Sequence, residues 1–137
     1  MNARITHPTA FGDQVAAASK HAHRILTDAT ARGEAEPDPA PPRAWLAAQA
    51  EILITALHNH TARVCAHVGA APQLLNAAAW HPGVLVCTDC AAALDPDPIE
   101  DVTCDRCRRP ALALTGSIAA FGPILFAYAL CDPCTKG

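Results

Sequence analysis

Three C-x-x-C pairs carry the chemistry that this sequence displays most clearly, and they hold six of its seven cysteines. They are Cys87/Cys90, Cys104/Cys107 and Cys131/Cys134. The two thiolates of such a turn can reach one metal ion at about 2.3 Å, and two turns complete the tetrahedral shell that structural zinc prefers. The spacing therefore predicts a bound cofactor of zinc, as one ion or two.

The order of the pairs along the chain leaves open which of them share an ion. The second and third pairs are separated by 23 residues, and the first and second by 13, and either spacing suits a four-cysteine site. The segment before Cys131 consists of two apolar stretches around the dipeptide Gly122-Pro123, a pattern that favours a β-hairpin. A hairpin would place Cys104 and Cys107 beside Cys131 and Cys134.

This arrangement over residues 104–134 resembles a zinc ribbon, in which two C-x-x-C knuckles grip one zinc ion. The resemblance implies an architecture with Cys104, Cys107, Cys131 and Cys134 as ligands, and no particular function. Many ribbon knuckles continue with glycine, whereas Arg108 and Thr135 stand at those positions here. Glycine eases the positive φ that such knuckles often need, so the knuckle geometry is harder to adopt with Arg108 and Thr135 in its place.

The first pair, Cys87/Cys90, is left over if the ribbon pairing holds. It could bind a second zinc ion with further ligands from Cys65, His67 or His81. It could also pair with the second knuckle and leave the third spare, or cycle between dithiol and disulfide. Iron is an alternative to zinc, because tetrahedral sulfur shells accept both metals.

The elements that must position these cysteines divide into a helical region, 1–80, and a cysteine-rich zinc-binding module, 81–137. Apolar residues recur at helical spacing over 9–32 and 43–68, and a short third helix is predicted at 73–80. We expect the first two helices to pack as an antiparallel hairpin.

A proline-rich connector, 34–42, joins the two long helices. The fold class is therefore predicted as α+β, with an N-terminal helical hairpin packed on or linked to a β-rich zinc-ribbon-like module. Only six of the 137 residues are aromatic, so the interior has few large side chains and metal binding is expected to supplement it.

The stretch 111–131 has no charged residue and is long enough to cross a bilayer as a helix. Its glycines, its proline and the metal-type turns at both ends favour the hairpin, so a membrane span is the weaker interpretation. The amino terminus shows no secretory signal, and a cytoplasmic location is expected. In that compartment closely spaced cysteines are more often metal ligands than disulfides.

Charge and motifs favour a non-enzymatic adaptor or regulator that acts through contacts with an unknown protein partner. The formal net charge is −3 and lies in the cysteine-rich half, which disfavours nucleic acid despite the basic cluster Arg106, Arg108 and Arg109. A nucleic-acid-associated ribbon factor is the alternative, and a C-x-x-C redox protein is the second. The helical hairpin could also form a homo-oligomer.

An enzyme is not expected, because cysteine ligands fill the metal shell and the sequence presents no convincing nucleophile or base. A metal hydrolase would have to use His58, His60 or His67. The spacing of these histidines is not the i, i+4 spacing that a helical metal site needs.

Overall fold

The computed structural model describes residues 8–32, 44–69 and 73–135. Within these ranges the chain forms three α-helices: α1 at Pro8–Ala31, α2 at Ala44–His58 and the short α3 at Asp132–Thr135. The five strands, in chain order, are β1 (Arg63–Val64), β2 (Leu75–Ala78), β3 (His81–Val86), β4 (Thr115–Phe121) and β5 (Ile124–Leu130). The two long helices precede a mixed sheet, which confirms the α+β class. The predicted connector at 34–42 lies outside the described residues.

The strands form one sheet in the order β1-β3-β2-β5-β4. The central strand β2 runs antiparallel to β3 and parallel to β5. At the edges, β1 is parallel to β3 and β4 is antiparallel to β5. Because β2 is shared, β3 and β5 must run in opposite directions, and their carboxyl ends lie at opposite ends of the sheet.

The predicted hairpin before Cys131 is β4 and β5, joined by Gly122 and Pro123. Gly122 has φ +59°, a conformation that glycine adopts without a steric penalty. The uncharged stretch is therefore two strands and not one helix. Within the described part of the chain, no helix has both the length and the apolar character that crossing a membrane requires.

The two long helices lie on opposite faces of the sheet. Helix α1 buries Ala22 and Leu26 in a cluster with Leu125, whereas α2 buries Leu53 in the cluster that contains Phe126. Leu125 and Phe126 are consecutive in β5, and consecutive side chains of a strand point to opposite faces. The fold is therefore a thin sandwich with a helix on each face of the sheet.

This layering differs from the predicted packing of the first helix against the second. The apolar stripe of each helix faces the sheet instead, and on the side of α2 the sheet supplies aromatic rings. Trp45 of α2, for example, packs edge-on against Tyr128 with ring centroids 5.5 Å apart. Large sheet side chains offer more apolar area than the alanine-rich face of the other helix, and burial energy scales with that area.

Helix α2 was predicted to continue to residue 68, and it ends at His58. His60 adopts a left-handed conformation with φ +57°. The Thr61 amide donates to the carbonyl of Ala56 (2.9 Å) and the His60 amide to that of Leu57 (3.3 Å), which is the pairing of a Schellman cap. The residues Asn59-His60 therefore end the helix, since both types tolerate this conformation better than most.

The helix predicted at 73–80 is wrong, because Leu75–Ala78 is the central strand β2. Its alanines favour a helix intrinsically, but pairing with β3 and β5 overrides that preference. Ala77 and Ala78 are each only 2% exposed, one toward each face of the sheet. The proposed division of the chain at residue 80 stays a prediction, although this strand of the first part sits inside the sheet.

Candidate metal centres

Seven cysteines and one histidine assemble into two groups of four. The mixed group consists of Cys65, His67, Cys87 and Cys90, and the all-cysteine group consists of Cys104, Cys107, Cys131 and Cys134. Within each group the candidate ligand atoms all lie within 4.8 Å of one another. Each group is thus a site that can hold a metal ion.

The spacing of the candidate ligand atoms fits a tetrahedral ion. Bonds of about 2.3 Å to sulfur and about 2.0 Å to nitrogen place two sulfurs about 3.8 Å apart, and a sulfur and a nitrogen about 3.5 Å apart. The Sγ atoms of Cys107 and Cys131 are 3.9 Å apart. His67 Nδ1 lies 3.2 Å from Cys90 Sγ and 3.7 Å from Cys87 Sγ. Little movement would be needed to receive an ion.

The mixed group forms at the carboxyl ends of two parallel strands. Val64 of β1 pairs with Leu85 of β3, so Cys65 and Cys87 leave the sheet side by side. The Cys87 amide donates to Cys65 Sγ across this gap at 3.3 Å. His67 is reached because the chain turns after β1 instead of continuing as a helix.

In each group, one C-x-x-C pair lies where a strand runs directly into a helical turn. Cys87 follows β3 and precedes a 3-10 helix, Thr88–Leu94, in which the Cys90 amide donates to the Cys87 carbonyl at 3.1 Å. Cys131 likewise follows β5 and precedes α3, where the Cys134 amide donates to the Cys131 carbonyl at 3.0 Å. The same local device therefore presents a cysteine pair at each site.

The first knuckle of the all-cysteine group is fastened to β5 by Asp105. The Asp105 amide donates to the Ala129 carbonyl at 2.9 Å, and the Ala129 amide donates to Asp105 Oδ2 at 2.7 Å. The Cys131 amide donates to Cys104 Sγ at 3.4 Å, matching the amide-to-sulfur bond of the mixed group. This reciprocal pairing sets the two knuckles at a fixed separation.

Arg108 takes the glycine position of the knuckle with φ +62°, so it adopts the conformation that glycine would ease. Its amide donates to the Cys104 carbonyl at 2.9 Å, which closes the turn. Its guanidinium pairs with Glu100 at 2.7 Å and lies 3.5 Å from Asp105. These contacts hold an arginine where the backbone disfavours one.

Each group contains one thiol that is set up to ionise first. The backbone hydrogen bond from Cys87 lowers the pKa of Cys65 to about 6. Burial alone would raise the pKa of Cys104, but amide hydrogen bonds from Cys107, Cys131 and Arg106 outweigh it and lower the pKa to about 6. Both sulfurs are therefore thiolates near neutral pH.

A second thiol in each group is held in its protonated form. A hydrogen bond with the Cys87 side chain is the main cause that raises the pKa of Cys90 to about 11. Burial, followed by contacts with neighbouring thiols, raises the pKa of Cys134 to about 12. Crowded sulfurs share protons in this way when no cation balances them, which is the electrostatic setting of a cation site.

The two groups lie at opposite ends of the sheet. One follows the carboxyl end of β3 and the other the carboxyl end of β5, and these strands run in opposite directions. The seven residues of β5 span roughly 20 Å. The groups cannot share an ion, so the structure offers two separate sites.

The groups answer the pairing question that the cysteine spacing left open. The second and third C-x-x-C pairs come together, and the first is completed by Cys65 and His67. His81, the other predicted extra ligand, opens β3 and belongs to neither group within the described residues. His58 and His60 are exposed at the end of α2, outside both groups.

Asp105 holds a positioning role that motif reasoning missed, because its backbone pairing with β5 leaves no signal in cysteine spacing. The left-handed turn at Arg108 was indicated by its place at the usual knuckle glycine. Comparisons with protein-family models, with curated proteins and with solved structures give no match for this chain.

Proposed function

We propose that both groups bind structural zinc and that the protein is a non-enzymatic adaptor or regulator acting through protein contacts. The observation that carries this proposal is the grouping of four protein ligand atoms within 4.8 Å at each site. Four protein ligands complete the tetrahedral shell of a structural site, whereas a catalytic zinc keeps one position for water or substrate. The ions would hold the fold and leave function to the surface.

Zinc is favoured over iron by the composition of the two groups. Cysteine with histidine and cysteine alone are both common tetrahedral shells of structural zinc. Iron suits the all-cysteine group as well, since tetrahedral sulfur accepts either metal, but the mixed shell with His67 fits zinc better. One metal at both sites is the simplest assignment.

The proposed contact surface is the part of α2 that the sheet leaves uncovered. Ile52 is 52% exposed and Ile54 is 59% exposed, and they flank the buried Leu53 on either side of the helix. Val64 on the edge strand β1 is 48% exposed. Large apolar side chains that remain outside a small core are typical of protein interaction sites.

The nucleic-acid alternative has less support, because most of the basic cluster has internal partners. Arg106 donates to the Cys134 carbonyl at 3.0 Å, and Arg108 pairs with Glu100 at 2.7 Å. Phosphate binding depends on arginines and lysines that are free to neutralise phosphates. The redox alternative is also weaker, since Cys87 and Cys90 share their group with two further ligand candidates.

Native mass spectrometry of the full chain, purified without added metal, tests the proposal. We expect two zinc ions per chain and their release in acid, because thiolate ligands must be protonated to let them go. The same spectra report whether the chain associates with itself. Iron, or fewer than two ions, would contradict the zinc assignment.

The variant Ile54→Asp tests whether α2 forms the contact surface. Glu51→Gln, at another exposed position of α2, is its control. An Ile54→Asp chain with unchanged assembly and partners would contradict the contact surface.

A further inference from the structure

A cleft of about 400 Å³ opens between α2, the turn after β2 and the first knuckle of the all-cysteine group. Its volume lies in the range of small-molecule sites. One wall is apolar and includes Ile52, Leu53, Trp80 and Phe126. The Trp80 indole is fixed there, since its Nε1–H donates to the Leu94 carbonyl.

A charged wall of the cleft is formed by Glu100, Asp105 and Arg108. Arg108 Nη2 contacts Glu100 Oε1 at 2.7 Å, and Arg108 Nη1 lies 3.5 Å from Asp105 Oδ1. Two carboxylates and one guanidinium leave this wall with one excess negative charge. A ligand carrying one positive charge would balance it.

Two oxygens of this wall are buried and lack hydrogen-bond donors. No group in the described chain donates a hydrogen bond to Asp105 Oδ1 or to Glu100 Oε2. The Asp105 side chain is only 1% exposed, although it lines the cleft. A buried carboxylate oxygen without a donor is costly, so a ligand that brings N–H groups would gain from meeting both.

We propose that this cleft binds a small organic cation, an amine or guanidine with a compact apolar body. The cationic head lies against the Glu100 and Asp105 carboxylates and donates to Glu100 Oε2 and Asp105 Oδ1 once these buried oxygens turn toward it. The apolar body lies against Trp80, Ile52 and Phe126. Such charge-assisted hydrogen bonds are about twice as strong as neutral ones, and the surrounding burial keeps water from competing. The cleft contains none of the proposed zinc ligands, although Asp105 directly follows Cys104, and it shares Ile52 with the proposed contact surface of α2.

Three probes of nearly equal size test the charge requirement: benzylamine, benzyl alcohol and benzoate. Each is titrated into the full metal-loaded chain while heteronuclear NMR follows the Trp80 indole resonance. We expect a saturable shift with benzylamine at a Kd of roughly 1 mM, as suits a ligand of this size. Benzyl alcohol should bind at least about tenfold more weakly, and benzoate should not bind.

Glu100→Gln and Asp105→Asn each remove one charge and should weaken benzylamine binding at least about tenfold. Asp101→Asn is the matched control, because it removes a charge from the same short helix as Glu100 but outside the cleft. If Asp105→Asn does not fold, Glu100→Gln carries the test alone. Equal binding of the three probes, no saturation by about 20 mM benzylamine, or an unchanged Kd in Glu100→Gln would each overturn the proposal.

Discussion

Replacing His67 by alanine tests whether His67, and not His81, is the histidine ligand of the mixed group. His67 Nδ1 lies 3.2 Å from Cys90 Sγ, whereas His81 belongs to neither group within the described residues. His67→Ala leaves three thiolates and an open position that water can fill. We therefore expect a weakened site and not a lost fold.

The size of the effect follows from the number of ligands. A structural zinc site contributes about 10–16 kcal/mol, so one of four ligands accounts for roughly 3 kcal/mol. That free energy corresponds to about a 100-fold weaker zinc affinity. The all-cysteine group should keep its affinity, because it lies roughly 20 Å away across the sheet and shares no ligand with the mixed group.

Competition with a chromophoric zinc chelator measures both affinities in one titration. His67→Ala should show one site at the affinity of the unmodified chain and one about 100-fold weaker. His81→Ala is the matched control and should show two unchanged sites. If His67→Ala retained both affinities, or if His81→Ala lost one, the assignment of His67 to the mixed group would be wrong.

The geometry also sets the outcome of three stability and titration experiments. In chemical denaturation of the metal-loaded chain, Arg108→Gly should be more stable than Arg108→Ala by about 1 kcal/mol. Both variants lose the ion pair, but only glycine relieves the positive φ. Equal stability of the two variants would refute the backbone argument. Leu53→Ala should lower the free energy of unfolding by about 3 kcal/mol in the same assay, since this side chain is only 4% exposed and lies in the main core cluster. A loss below about 1 kcal/mol would mean that α2 does not pack on the sheet as described. In the metal-free chain, at a temperature at which circular dichroism shows that it is still folded, ultraviolet thiolate absorbance should fall as pH drops through about 6, where Cys65 and Cys104 take up protons. Both pKa values lie below the ordinary 9.0, so the stabilisation from these thiolates is complete above about pH 9 and is lost as pH falls through about 6. An absorbance midpoint near 9 would contradict the lowered pKa values.

The parts of the molecule that sequence reasoning predicted are those whose signals are local. A C-x-x-C turn contains its own geometry, and the dipeptide Gly122-Pro123 between apolar stretches is enough to indicate the hairpin of β4 and β5. That hairpin returns the chain to its start, so it also predicts which cysteine pairs form the all-cysteine group. Each of these inferences needs only neighbouring residues.

The parts that it missed depend on pairing between distant segments. Leu75–Ala78 is a strand only because β3 and β5 flank it, and its alanines would otherwise favour a helix. Strand β1 has just two residues, Arg63 and Val64, too few to leave a periodic pattern. Yet its parallel pairing with β3 is what brings Cys65 and His67 to Cys87.

The positions of the two groups explain why so thin a fold can hold together. The sheet has alanines at its centre, and its buried aromatic residues lie on one face, so burial of apolar area supplies less stability than usual. The mixed group fastens β1 to β3 at one end, and the all-cysteine group fastens the Cys104 knuckle to β5 at the other. One structural zinc is worth as much as the whole stability of a typical domain, about 5–15 kcal/mol. Metal binding at the two ends would therefore replace the large core that this composition cannot build.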